Sequence, residues 1–128
     1  MKSLFESLGG TPAVEVVVET FYRKVLMDDR ISRFFDDVDM DRQLAQQRAF
    51  LTMAFGGPHR YQGKDLRAGH AHLVGQGLAD EHVDIVIDLL RQSLWDHGVP
   101  ASLISQVEAI AQGARDDVLG RPQKIAAR

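Results

Sequence analysis

Two histidines two positions apart, His70 and His72 in "DLRAGHAHLV" (residues 65–74), are the first candidates for holding a metal ion. On an α-helix each residue turns about 100°, so i and i+2 point about 200° apart, whereas ligands sharing one ion need i,i+3 or i,i+4. The pair therefore cannot chelate one ion from a helix. At most one faces inward and the other is a solvated imidazole. A lone helical histidine is, on its own, more often structural than a ligand.

A second group of polar side chains sits where apolar ones belong. In "DRQLAQQRAFLTMAF", Leu44, Gln47 and Leu51 follow i, i+3, i+7, and Gln43, Gln47, Phe50 and Ala54 follow i, i+4, i+7, i+11. A buried amide without a partner costs roughly 1 to 3 kcal/mol. Either Gln43, Gln46 and Gln47 lie half-exposed on a helix edge, or Gln43 and Gln47, with Gln46, line a cavity for a polar ligand. Tyr22 raises the same question from another helix. It adjoins Phe21 on an apolar face, and a buried phenol needs a hydrogen-bond partner. One tyrosine, these glutamines and a histidine, set in otherwise apolar helices, point to one pocket.

Helices must position these groups. Val14, Val17, Val18, Phe21, Tyr22 and Val25 recur at i, i+3, i+4, i+7, i+8 and i+11, with Glu15, Glu19 and Arg23 on the other side, which predicts an amphipathic helix of about four turns. Thr11 is placed as its N-cap and Pro12 as its first helical residue, with Gly9-Gly10 turning the chain out of a short helix over residues 3–8. "DDRISRFFDDVDMD" gives a short helical turn ending at Phe34-Phe35, then an acidic start for a helix running from about 39–41 to about 55. "GGPHRYQGKD" is a loop, and His70 falls on the short helix after it. Val83, Val86, Ile87, Leu90 and Leu94 define a further helix. Leu103, Ile104, Val107, Ile110, Ala111 and Val118 define the last, antiparallel to it across Gly98-Val99-Pro100. No strand-like alternation appears, so the class is all-α with about five to seven helices, in a single domain over 1–128 with a core over about 3–119 and a frayed tail over 120–128.

Composition narrows the chemistry. With 128 residues and 45% apolar content the chain suits one core, and with no cysteine it has no disulfide, zinc-thiolate or iron-sulfur option. A metal would have to be held by histidine, by carboxylate or in a prosthetic group. A net charge of −3 with scattered Lys and Arg argues against nucleic acid. No window is apolar enough to span a membrane, so a cytoplasmic, soluble protein is expected.

The residues taken together resemble a known family. "LFESLGGTPAVEVVVETFYRKVLMDD", "FFDDVDM", "QQRAFLTMAFGGPHRYQG", "LRAGHAHL" and "GVPASLI" occur in the order found in group I truncated haemoglobins, over roughly residues 3 to 119. The resemblance implies a two-over-two α-helical sandwich around a haem b. His70 would be the proximal iron ligand and His72 would point away. Tyr22, Gln43 and Gln47, with Gln46, would form the distal cluster, donating hydrogen bonds to O2 polarised by the iron. Phe35, Phe50 and Val86 would pack against the macrocycle. Tyr61, Lys64 and Arg67 fall where the resemblance puts the propionates, and as residues alone they read equally as surface side chains.

The departures from the family pattern are also informative. Several cyanobacterial relatives carry a histidine at the Gln46 position as sixth iron ligand and another in the last helix, linked covalently to the haem. Here the positions read Gln46 and "AQGARDDVL", which implies noncovalent haem without bis-histidine ligation. Group II and III members place a tryptophan where this chain has Val86, and Trp95, two turns on, is given a structural role. The function implied is binding of O2, NO and CO by a monomer, for oxygen transport or storage, or for nitric oxide dioxygenase activity with an external reductase. The rival is a haem-free helical interaction or sensory module, which leaves His70, Tyr22, Gln43 and Gln47 unexplained.

Overall fold

The computed structural model describes residues 4–36, 39–54, 71 and 73–120. In chain order the helices are α1 (Leu4–Leu8), α2 (Gly10–Met27), a 3-10 turn (Ser32–Phe35), α3 (Met40–Ala54), α4 (Asp80–Asp96), α5 (Ala101–Gly113) and α6 (Arg115–Val118). The described residues contain no strand. His70, His72, Tyr61, Lys64 and Arg67 lie outside them. No helix among the described residues is long and apolar enough to cross a membrane.

The six residues expected on the inner face of α2 are all buried there: Val14, Val17, Val18, Phe21, Tyr22 and Val25. The start of α2 differs from expectation. The helix begins at Gly10 rather than after Thr11, and Gly9 and Gly10 turn the chain into it with φ of +109° and +71°, left-handed values that a side chain would strain. The chain thus enters the helix earlier, no side chain caps it, and Pro12 falls within the first turn, where no N–H is needed. By contrast α3 is capped as its acidic start suggested. The Asp39 carboxylate accepts from the N–H groups of Asp41 and Arg42 at 3.1 and 3.3 Å.

Two helix pairs make the framework. α2 packs on α3 and α4 packs on α5, while α2 also meets α4 and α3 meets α5. The short link 97–100 returns α5 along α4. At the open end of the second pair, Arg115 bonds to the Asp80 carboxylate at 2.9 Å, to Asp84 and to Gln112 at 2.7 Å, tying the start of α4 to the end of α5. The last pattern is broken at Ala114 into α5 and α6, so it is not one continuous helix. Ile110, expected on its inner face, is exposed because burial follows Ile104, Val107 and Ala111 instead. Trp95 is not a core residue. It is 67% exposed, one step beyond the buried Leu94.

Candidate functional site

The buried apolar side chains fall into two clusters. The larger runs from Val14 through Phe21, Phe34, Leu51 and Leu90 to Val107, and the smaller comprises Val83, Ile87, Ala111 and Leu119. A cavity of about 120 Å³ lies between them, lined by members of both. Packed cores hold few voids larger than one water molecule, so a space of this size among the described residues is a candidate binding cavity.

Each wall comes from a different element. α2 contributes Phe21, Tyr22 and Val25, the 3-10 turn contributes Phe34 and Phe35, and α3 contributes Gln43, Gln47 and Phe50. Leu73 and Leu78 precede α4, which supplies His82, Val83, Val86, Ile87 and Leu90. Ala111, Ala114 and Val118 complete the lining. Among the described residues, the polar side chains in it are Tyr22, Gln43, Gln47 and His82. Three of these four belong to adjoining helices that pack together, so the polarity is concentrated on the α2/α3 side.

Tyr22 is held in place by its neighbours. Its ring meets Phe21 edge-on at 5.4 Å and Phe35 at 5.9 Å, and only 4% of the residue is exposed. Its hydroxyl donates to the main-chain carbonyl of Gln43 at 3.3 Å. Burial holds the phenol well above the ordinary tyrosine range, and the Gln43 side chain pulls the other way by less. Tyr22 is therefore a neutral donor at physiological pH.

The glutamines are separated by their position on the helix. Gln43 and Gln47, four residues apart, both line the cavity, half-buried. Gln46, expected beside them, is exposed and absent from the lining, because the 100° step from Gln47 carries it to the outer side of α3. Phe35, Phe50 and Val86 also line the cavity.

His82 was not among the residues expected at the site. It is 8% exposed, and its ring stands edge-on to Phe34 at 5.0 Å. Its Nδ1 accepts from the Ala79 N–H at 3.0 Å, so the neutral ring carries its proton on Nε2. This is the returning half of a capping box, in which the third helical residue reaches back to the N-cap amide. Ala79 has no acceptor for the other half. The signal was in "ADEH", where histidine fills the slot usually held by Glu or Gln.

An apolar, aromatic-edged cavity with neutral donors on one wall fits a flat macrocycle carrying a small polar ligand. The bacterial-like globin family model matches residues 3–119. The group 1 truncated hemoglobin GlbN of Synechocystis sp. is 51% identical over 112 residues, which is 87% of this chain and 90% of that protein. This chain belongs to the group 1 truncated hemoglobins. The group 1 truncated hemoglobin of Tetrahymena pyriformis is 38% identical over 94% of this chain and 97% of its own.

The structure agrees with this assignment. The 2/2 hemoglobin of Synechococcus sp., solved in the cyanomet state with covalently attached heme, superposes with a TM-score of 0.87 at 44% identity, covering 94% of this chain and all of that one. The Fe(III) form of the Tetrahymena pyriformis protein gives 0.83 at 38% identity, over 92% and 98%. Membership of the truncated globins carries haem-based binding of small gaseous ligands as the general function.

Proposed function

We propose that this truncated globin holds haem b noncovalently and binds O2 and related diatomic ligands reversibly, with His70 as the proximal iron ligand. The observation that carries the distal half of this reading is the placing of Tyr22, Gln43 and Gln47 as neighbouring polar groups on one side of a mostly apolar cavity. Haem supplies an iron at which a diatomic ligand can be held. Tyr22 offers an O–H, and Gln43 and Gln47 each offer an N–H, to the negative end of a polarised ligand. Phe35, Phe50 and Val86 supply apolar surface for the macrocycle and keep water out. Tyr61, Lys64 and Arg67 are proposed partners of the propionates.

Two features of the sequence support noncovalent haem without a second histidine ligand. Gln46 stands on α3 as an exposed amide, and "AQGARDDVL" at the end of the chain's helices has no histidine to attach the haem.

Adding haem to the purified apoprotein and recording its absorption spectrum tests the reading. A Soret band is expected in the wild type and in His72→Ala, and its loss in His70→Ala. A protein that gives no Soret band would be a haem-free helical module instead. Within the haem reading, an apolar cavity with polar donors on its α2/α3 side suits both oxygen storage and oxidation of NO to nitrate. Mixing the oxygenated ferrous protein with NO in a stopped-flow instrument, with a reductase present, separates them. Repeated turnover marks a dioxygenase, and a single oxidation marks a binding protein.

A further inference from the structure

The segment that follows His70 in sequence ends in a tightly bonded turn. The Gln76 N–H bonds to the Leu73 carbonyl at 2.9 Å, the Gly77 N–H to Val74 at 3.1 Å and the Leu78 N–H to Leu73 at 3.0 Å, with Gly77 at φ +102°. This is the glycine-closed end of a helical turn. Leu73, three residues after His70 and 7% exposed, lines the cavity.

The Gln76 carbonyl takes no part in that pattern. It accepts instead from Arg33 Nη1, on the 3-10 turn, at 3.3 Å. The same guanidinium lies 4.3 Å from the centre of the Phe34 ring. It also passes alongside Gly77, where a Cβ would stand 3.8 Å from its Nη2. Phe34 is itself a cavity wall, 3% exposed, and its ring meets the buried His82. Arg33 therefore joins a cavity wall to the turn just beyond His70, across 43 residues of sequence.

We propose that Arg33 is a positioning residue for the iron ligand, fixing the end of the segment that carries His70 against the Phe34 wall. The inference rests on the haem reading above. A guanidinium is suited to this because its plane stacks on a ring while its edge donates to a carbonyl. A lysine ammonium can make the hydrogen bond without the planar stack. Arg33 is exposed, so its contribution is that of a surface cation with two weak, geometrically fixed contacts.

The test uses the full haem-loaded chain with Arg33→Met, Arg33→Lys and, as control, Arg30→Met, an exposed arginine bonded to Asp28. Two readouts are taken: the rate of haem transfer to excess apomyoglobin, and the iron–histidine stretching band of the ferrous protein by resonance Raman. Arg33→Met is expected to speed haem loss about three- to tenfold, equivalent to about 0.7 to 1.4 kcal/mol, and to shift the band. Arg33→Lys should fall between it and the wild type, and Arg30→Met should match the wild type. Gly77→Ala, which strains the same turn, should shift the band in the same direction and keeps the test open if Arg33→Met does not fold. Wild-type haem loss and an unmoved band in Arg33→Met, or equal effects in Arg30→Met, overturn the inference. Failure of the wild type to bind haem, or an iron–histidine band surviving in His70→Ala, overturns the haem reading and the inference with it.

Discussion

The Tyr22 hydroxyl of α2 donates to the Gln43 main-chain carbonyl of α3 at 3.3 Å, so the phenol is fixed to the wall that also carries Gln47. The bond is long for an O–H donor, near the outer limit of a useful one. On the function proposed above, a polarised ligand in the cavity would compete well for that proton, because hydrogen bonds to charged partners are about twice as strong as neutral ones.

Replacing Tyr22 by phenylalanine keeps the edge contacts with Phe21 and Phe35 and removes only the donor. Oxygen should leave the haem-loaded protein about 10- to 100-fold faster, corresponding to a charge-assisted bond of about 1.5 to 3 kcal/mol. Ligand-replacement stopped-flow measures this, and an unchanged rate would show that Tyr22 is not the distal donor.

Gln46 and Gln47 are neighbours in sequence, the first exposed and the second half-buried. Gln47→Ala should speed oxygen release severalfold, about 3- to 10-fold for one neutral amide bond, while Gln46→Ala should leave it within experimental error. Equal effects from the two variants would mean that α3 is rotated about its axis relative to this description.

Asp28 gives a pH dependence of stability. Its carboxylate accepts from the Arg30 Nε at 2.9 Å, Nη2 at 2.6 Å and N–H at 3.0 Å, and this pairing holds its pKa down to about 2 from 3.8. The folded value is the lower one, so the stabilisation is complete above 3.8 and is lost as pH falls through about 2. Urea midpoints of the wild type and Asp28→Asn should differ at neutral pH and converge toward pH 2. A gap that stays constant with pH would show that the pair does not contribute through its charge.

Arg115 holds the start of α4 to the end of α5 through Asp80, Asp84 and Gln112, with only 18% of its side chain exposed. Arg115→Met should lower stability by about 1 to 2 kcal/mol, more than an isolated surface pair would, since one guanidinium serves several acceptors. Urea denaturation followed by helical circular dichroism measures it, and a loss under about 0.3 kcal/mol would mark the cluster as energetically idle.

Two apolar residues should respond very differently to truncation. Leu51, fully buried, should lose about 2 to 5 kcal/mol on replacement by alanine. Trp95, two-thirds exposed, should change stability by no more than about 0.5 kcal/mol. A large loss at Trp95 would restore the structural role its size suggests.

The fold class and the α2 stripe were legible because helical periodicity is local: Val14 to Val25 declare their inner face through spacing alone, and Asp39 declares a cap through its side chain. Tyr22, Gln43 and Gln47 were legible for a different reason, as polar residues breaking an apolar face. Gln46 shows the limit of that signal. A residue 100° from a lining position looks the same in sequence, and only the rotation of α3 against α2 decides which glutamine enters the cavity. His82 left only the faint mark of "ADEH", and Arg33 left none, for a related reason. One acts through a main-chain amide at a helix start and the other through a carbonyl 43 residues away, and neither partner has a side chain that would mark it. The sequence alone thus determined the all-helical class, the inner face of α2 and the candidate polar groups, because these follow from spacing and side-chain chemistry along one element. The tertiary structure decided which of those groups share a cavity and what holds its walls, because that depends on how separate helices pack and on backbone atoms that every residue has.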